Sequence, residues 1–316
     1  MVIEAPGRMP WDEVPESIRA SVGEILGAPV VTARTQTGGF SPGSADRVVT
    51  ATGRRAFVKT ASRAVNAEAT EIHRLEARKS ESLPAGIPAP RMLGIVDRGD
   101  WVAVVFDDIE GRHPLTPWRT DELFSVLDAL AGIAAPHLPD AGAIPPLETE
   151  LSELFEGWSR IADLAAAPVD GDLAAWTAYH HAEFVRMAAS ALDDLRGDRL
   201  VHLDARADNL LIRPDGTVVV VDWPWAARGA GWFDALALLI NVRLYNPDYD
   251  VEAVIGGHPV FEGMREDAAT RVLVGLAGFF LEGSMRPDKP GMPTLRTFQR
   301  DQAVATLQWL RERFGP

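Results

Sequence analysis

The 316-residue chain reads as an α+β protein in two lobes, a small β-rich one and then a larger, mostly helical one. Three observations predict this. Up to about residue 107, short apolar runs are separated by Gly-containing turns, as strands require, with one helical stretch inserted. Beyond residue 113 the chain is rich in Ala and Leu at helical spacing, broken by a strand–turn–strand signal near 209–223. With 47% hydrophobic and 24% charged residues, the chain can fill one large core or two lobes.

In chain order, "WDEVPESIRASVGEILG" (11–27) sets Val14, Ile18, Val22, Ile25 and Leu26 at helical spacing and stops at Gly27. Strands follow at 29–35, 45–52 and 55–61. The first two are separated by "QTGGFSPGS" (36–44) and the next two by a Gly-Arg turn. Residues 66–79 return to helical spacing, and 91–97 and 101–107 form two more strands joined at Asp97–Asp100. "DDIEGRHPLTPW" (107–118) is polar and marked by Gly and Pro. After it come the helical patterns of 125–135, 147–167 and 173–195, and those around 232–245, 265–283 and 297–313. The expected division is therefore 1–106, a connection at 107–112, and 113–316, without internal repeats.

Composition narrows the function. There is no cysteine, so disulfides and zinc–thiolate sites are excluded and a cytoplasmic setting is favoured. The first 20 residues lack the basic start and apolar run of a secretion signal. The longest apolar stretches, "VLVGLAGFFL" (272–281) and "ALALLI" (235–240), fall short of the roughly 20 residues a membrane helix needs. Lys and Arg total 31 against 45 Asp and Glu, a formal charge of −14. That field repels nucleic acid and anionic lipid and draws cations to an acidic cleft. Neither nucleic acid nor membrane is an expected partner, a cationic one is compatible with the charge, and the oligomeric state stays open.

The chemistry concentrates in "LVHLDARADN" (200–209). After Asn209 come "LLI", the turn "RPDG" and "TVVVVDW". Pro presets φ and Gly accepts positive φ, so 209–223 is an antiparallel hairpin. Asn209 opens one strand and Asp222 closes the other, at the same end. An amide oxygen and a carboxylate there suit Mg²⁺, which takes few protein ligands and keeps positions for phosphate and water. Asp204 lies five residues before Asn209 and can reach the same space as a base.

The order H-x-D-x-x-x-x-N, hairpin, Asp is that of phosphoryl transfer by kinase-like enzymes. "HLDARADNLLI…VVVVDWPWA" resembles the aminoglycoside phosphotransferase family of the protein-kinase-like superfamily. The resemblance implies a bilobal kinase fold, Asp204 as catalytic base, Asn209 and Asp222 as Mg²⁺ ligands and His202 as loop support. Two positions depart from the family pattern: Leu203 stands where Gly usually follows the His, and Asp208 where Gly often precedes the Asn.

Other segments fit this order. "TGGFSPGS" (37–44) lies between two strands, where the glycines and small residues Gly39, Phe40, Ser41 and Gly43 suit a phosphate-cradling loop. Lys59 in "FVKT" would contact the α- and β-phosphates and pair with a Glu of the next helix. At 100° per residue Glu68 falls about 20–40° from Ile72 and Leu75, so Glu68 is the expected partner, with Glu71 in reserve. "VAVVFDDIEGR" (102–112) resembles the segment joining the lobes, with the backbone of Phe106, Asp107 and Ile109 placed for adenine. Asp234 in "GWFDALALL" matches a family Asp that braces the catalytic loop, and suits a helix N-cap equally.

The expected function is ATP- and Mg²⁺-dependent phosphorylation of a small-molecule hydroxyl, with GTP left open as donor. The acceptor expected first is a cationic antibiotic, an aminoglycoside or basic peptide. A choline-, homoserine- or sugar-like metabolite is the alternative, and a non-catalytic nucleotide-binding module stands as the other class.

Overall fold

The computed structural model describes residues 8–36, 43–140, 142–289 and 292–315. They form two compact units, each built around its own core.

The first unit takes in the chain through Pro114 and, from further on, Asp208–Trp225. A 3₁₀ turn, Trp11–Glu13, leads into α1 (Glu16–Leu26), which stops at Gly27 with φ 81°, a value glycine adopts without steric cost. Five strands follow: β1 (Val30–Thr35), β2 (Ser44–Thr50), β3 (Arg55–Ser62), then α2 (Ala67–Glu81), then β4 (Met92–Asp97) and β5 (Trp101–Asp107). The sheet is antiparallel, in the order β1-β2-β3-β5-β4.

Alternation decides which side chain faces which helix. Trp11, Val14, Ile18, Val22 and Leu26 bury one sheet face against Val48, Ala56, Val58, Ala103 and Val105. Each buried Val, Ile or Leu among these contributes roughly 1.5–3 kcal/mol. The opposite face offers Phe57, Val102, Val104 and Phe106, covered in part by Ala77 of α2. Lys59, paired with Val104 across the sheet, belongs to this second face.

The second unit holds α3 (Thr120–Ile133), α4 (Leu147–Phe155), α5 (Gly157–Arg160), α6 (Gly171–Asp194) and the short strand β6 (Arg199–Val201). The hairpin strands β7 (Leu210–Ile212) and β8 (Val218–Val220) belong to the first unit, and β9 (Ala227–Gly229) returns to pair with β6. Then come α7 (Phe233–Tyr245), α8 (Val251–Gly257), α9 (Glu266–Ser284) and α10 (Leu295–Phe314). The apolar runs at 235–240 and 272–281 lie in α7 and α9 and are largely buried. Among the described residues no helix is long and apolar enough to cross a membrane.

The 209–223 hairpin folds with the first unit, although the sequence groups it with residues 113–316. Its backbone explains why. The Val220 N–H donates to the Pro88 carbonyl at 2.8 Å, while Arg112 and Ile212 exchange two backbone hydrogen bonds at 3.0 and 2.7 Å. Arg112 is the last residue of the connecting segment 107–112, so that segment and the hairpin are joined directly through backbone.

Candidate active site

In the first unit, β3 carries Lys59 to the centre of a charge cluster. Its Nζ donates to Glu76 Oε1 and to Asp222 Oδ1, both at 2.7 Å. The side chains are 15%, 2% and 34% exposed respectively, so the cluster is buried but open on the Asp222 side. Burial works against the Lys59 charge, but Asp222 and Glu76 outweigh it and hold the ammonium above its ordinary value. Burial likewise pushes the Glu76 carboxyl up, to about 7, against the pull of Lys59. His73, one turn earlier on α2, is pushed down to about 3, by burial first and by the Lys59 charge second, and stays neutral.

The partner of Lys59 is thus Glu76, and the expectation of Glu68 is corrected. Glu68 is exposed near the start of α2. The expectation took Ile72 and Leu75 as the buried stripe. Instead α2 buries Ala69, Thr70, His73, Glu76 and Ala77, leaving Ile72 and Leu75 half-buried. A helix that buries its polar groups hides its inner face from hydropathy.

The hairpin register pairs Leu210 with Val220 and Ile212 with Val218. One step further the Val221 N–H donates to the Asn209 carbonyl at 2.9 Å, so Asn209 and Asp222 share one end. Asn209 is 5% exposed. Asp222 sits at φ 71°, a left-handed conformation that Asp tolerates better than most residues. An amide oxygen and a carboxylate oxygen are hard donors of the kind Mg²⁺ takes. Among the described residues no group of three or more His, Cys, Asp or Glu could cage a metal alone. The amide and carboxylate oxygens fit an ion that completes its shell with phosphate and water.

Of the phosphate-loop residues, Gly39, Phe40 and Ser41 lie outside the described residues. Gly43 has φ 137°, and a Cβ there would lie 2.2 Å from the Thr60 carbonyl oxygen, so only glycine fits. The two strand ends flanking this loop are tied by a residue that hydropathy did not single out. Asp46, fully buried, accepts hydrogen bonds from Thr35 Oγ1 at 2.6 Å and from the Ser44 hydroxyl. Burial raises its carboxyl despite these two bonds. At the connecting segment, the Asp107 N–H donates to the Arg91 carbonyl at 2.9 Å, and the Ile109 carbonyl accepts from Arg47 at 2.8 Å. Phe106 is buried, its ring 5.9 Å from the Lys59 ammonium.

In the second unit, Asp234 at the start of α7 is buried and accepts two backbone bonds from the loop after β6. These come from the His202 N–H at 2.6 Å and the Leu203 N–H at 2.9 Å. Burial raises the Asp234 carboxyl; the nearby His202 opposes it. His202 is fully buried, and its Nδ1 accepts the Asp204 N–H at 3.3 Å. The loop is thus fixed through backbone, leaving the Asp204 side chain 30% exposed.

Leu203 adopts φ 71°, where a side chain costs about 1–2 kcal/mol relative to glycine. The resemblance noted above expects Gly here; Leu203 takes a left-handed backbone that glycine adopts freely, and carries the strain. Leu203→Gly should leave unfolding stability within about 1 kcal/mol, because the relieved strain offsets added chain entropy and lost contacts. Leu203→Ile should cost roughly 1–3 kcal/mol, since β-branching crowds this conformation most. Chemical denaturation measures both, and equal losses would contradict a left-handed Leu203.

A family model described as the phosphotransferase enzyme family matches residues 39–266. Among curated protein sequences there is no match. Solved structures share the fold. An aminoglycoside phosphotransferase from Alicyclobacillus acidocaldarius subsp. acidocaldarius DSM 446 superposes with TM-score 0.55 at 16% identity, covering 97% of each chain. Choline kinase LicA from Streptococcus pneumoniae gives 0.59 at 14%, covering 92% of this chain and 98% of its own. A thermostable mutant (D198A) of aminoglycoside phosphotransferase APH(4)-Ia, in ternary complex with ADP and hygromycin B, gives 0.57 at 16%, covering 94% and 97%.

Proposed function

Since the chain belongs to the phosphotransferase enzyme family, we propose that it transfers the γ-phosphoryl group of ATP to a hydroxyl of a small cationic molecule. The observation that carries the nucleotide half is the Lys59 ammonium, 2.7 Å from both Glu76 and Asp222. Glu76 aims the ammonium, which donates to α- and β-phosphate oxygens. Asn209 and Asp222 would hold Mg²⁺, which neutralises charge on the phosphates when bound.

Asp204 takes the proton of the acceptor hydroxyl as that oxygen bonds to the γ-phosphorus. The bond from γ-phosphorus to the bridging oxygen breaks, and ADP leaves with the electron pair. Asp234 and His202 hold the loop in place through its backbone, so little reorganisation is needed when the proton moves.

The formal charge of −14 supports a cationic acceptor. Two fold relatives support an antibiotic acceptor: one of the solved structures holds hygromycin B and another is a spectinomycin complex. A metabolic acceptor is the second reading, favoured by the choline kinase and by a putative fructosamine-3-kinase of the same fold (TM-score 0.53). ADP release is to be followed across aminoglycosides, basic peptide antibiotics, choline, homoserine and simple sugars. Turnover confined to polycationic antibiotics is the expected result. Turnover on choline, homoserine or a sugar alone would select the second reading, and ATP binding without turnover on any would favour the non-catalytic module.

A further inference from the structure

Arg206 follows the proposed base by two residues. Its Nε lies 3.5 Å from Asp204 Oδ1, and its guanidinium carbon lies 5.2 Å from the centre of the Phe298 ring. Phe298 is on the first turn of α10, and the Phe280 ring of α9 meets it edge-on at 6.5 Å between centroids. The Arg206 side chain is 20% exposed. A guanidinium is planar and permanently charged, and one laid on a braced ring has a fixed direction, which an ammonium would lack.

The Asp204 backbone is already fixed by His202. A carboxylate can still turn about its own side-chain bonds, and misplacing a reacting group by about 1 Å can cost roughly 10²-fold. We infer that Arg206, seated on Phe298, is a positioning residue that directs the Asp204 carboxylate toward the acceptor hydroxyl. This rests on Asp204 being the base.

The test compares Arg206→Met, Arg206→Lys, Asp204→Ala and the Asp204→Ala/Arg206→Met double variant in the full chain. The probes are MgATP with water as acceptor and, in addition, any compound of the panel above that turns over. Rates are read from ADP release and MgATP affinity from calorimetry. Arg206→Met should lower kcat by about 10–100-fold with MgATP affinity within about 2-fold of wild type. Arg206→Lys should recover part of the rate, because charge returns without the rigid guanidinium fork. In the Asp204→Ala background, removing Arg206 should cost nothing further.

An equal fold-loss in both backgrounds would overturn the inference, as would wild-type kcat in Arg206→Met. So would a parallel loss of MgATP affinity, which would make Arg206 a phosphate contact. Asp204→Ala inactive with Arg206→Met unimpaired removes this inference alone, whereas full turnover in Asp204→Ala removes the base assignment beneath it.

Discussion

Asp204→Ala is expected to lose about 10²–10⁴-fold in phosphoryl transfer, the range that general-base catalysis contributes. Its affinity for MgATP should stay close to wild type, because Lys59, Asn209 and Asp222 are untouched. The fold should also be unaffected. The Asp204 side chain is partly exposed, and the loop is held by backbone hydrogen bonds to Asp234 that alanine retains. Steady-state rates, calorimetric nucleotide binding and a thermal midpoint separate these effects. A loss of rate with a matching loss of stability would instead make Asp204 structural.

Lys59→Met carries the second large effect, on both stability and nucleotide binding. Removing one partner of a buried ion pair commonly costs about 3–5 kcal/mol, because a charge is left buried without compensation. Here the cost should fall nearer about 2–3 kcal/mol, since Glu76 can take up a proton instead. Burial already pushes its carboxyl up, to about 7 against 4.5 ordinarily.

The sign of the pH dependence follows. A raised carboxyl favours folding most below its unfolded value and loses that contribution as pH rises through the folded value. Without the ammonium the folded value rises further, so the variant's deficit relative to wild type should grow as pH climbs past about 7. MgATP affinity should fall about 10-fold or more as a charge-assisted phosphate contact disappears. Denaturant unfolding across pH 6 to about 9 and nucleotide titration read the two parts. A deficit independent of pH would contradict the protonation of Glu76.

Elements with local signals were legible in the sequence. The strands near 29–35, 45–52, 55–61, 91–97 and 101–107 announced themselves as short apolar runs between turns, and the hairpin by Pro-Asp-Gly. Asn209 and Asp222 were placed together because a hairpin register is fixed by its turn.

What could not be read was the polar interior. Glu76 and His73 lie on the inner face of α2, where hydropathy suggested Ile72 and Leu75. Asp46 is satisfied by Thr35, eleven residues away across the glycine-rich loop, and no local pattern encodes that pairing. The short pairing of β6 with β9 joins segments too brief to show a period. Leucine does not itself ask for a positive φ, and the sign of one at Leu203 was the Gly that the resembled pattern has there.

The most direct measurement follows the γ-phosphoryl group itself. ATP labelled at the γ-position is incubated with Mg²⁺, the full chain and the acceptor panel, and label and ADP are quantified together. The expected result is one labelled phosphoester per ADP on a hydroxyl of a cationic small molecule, lost in Asp204→Ala. Nucleotide binding with no label on any acceptor, or equal labelling by Asp204→Ala, would contradict the proposed function and mechanism.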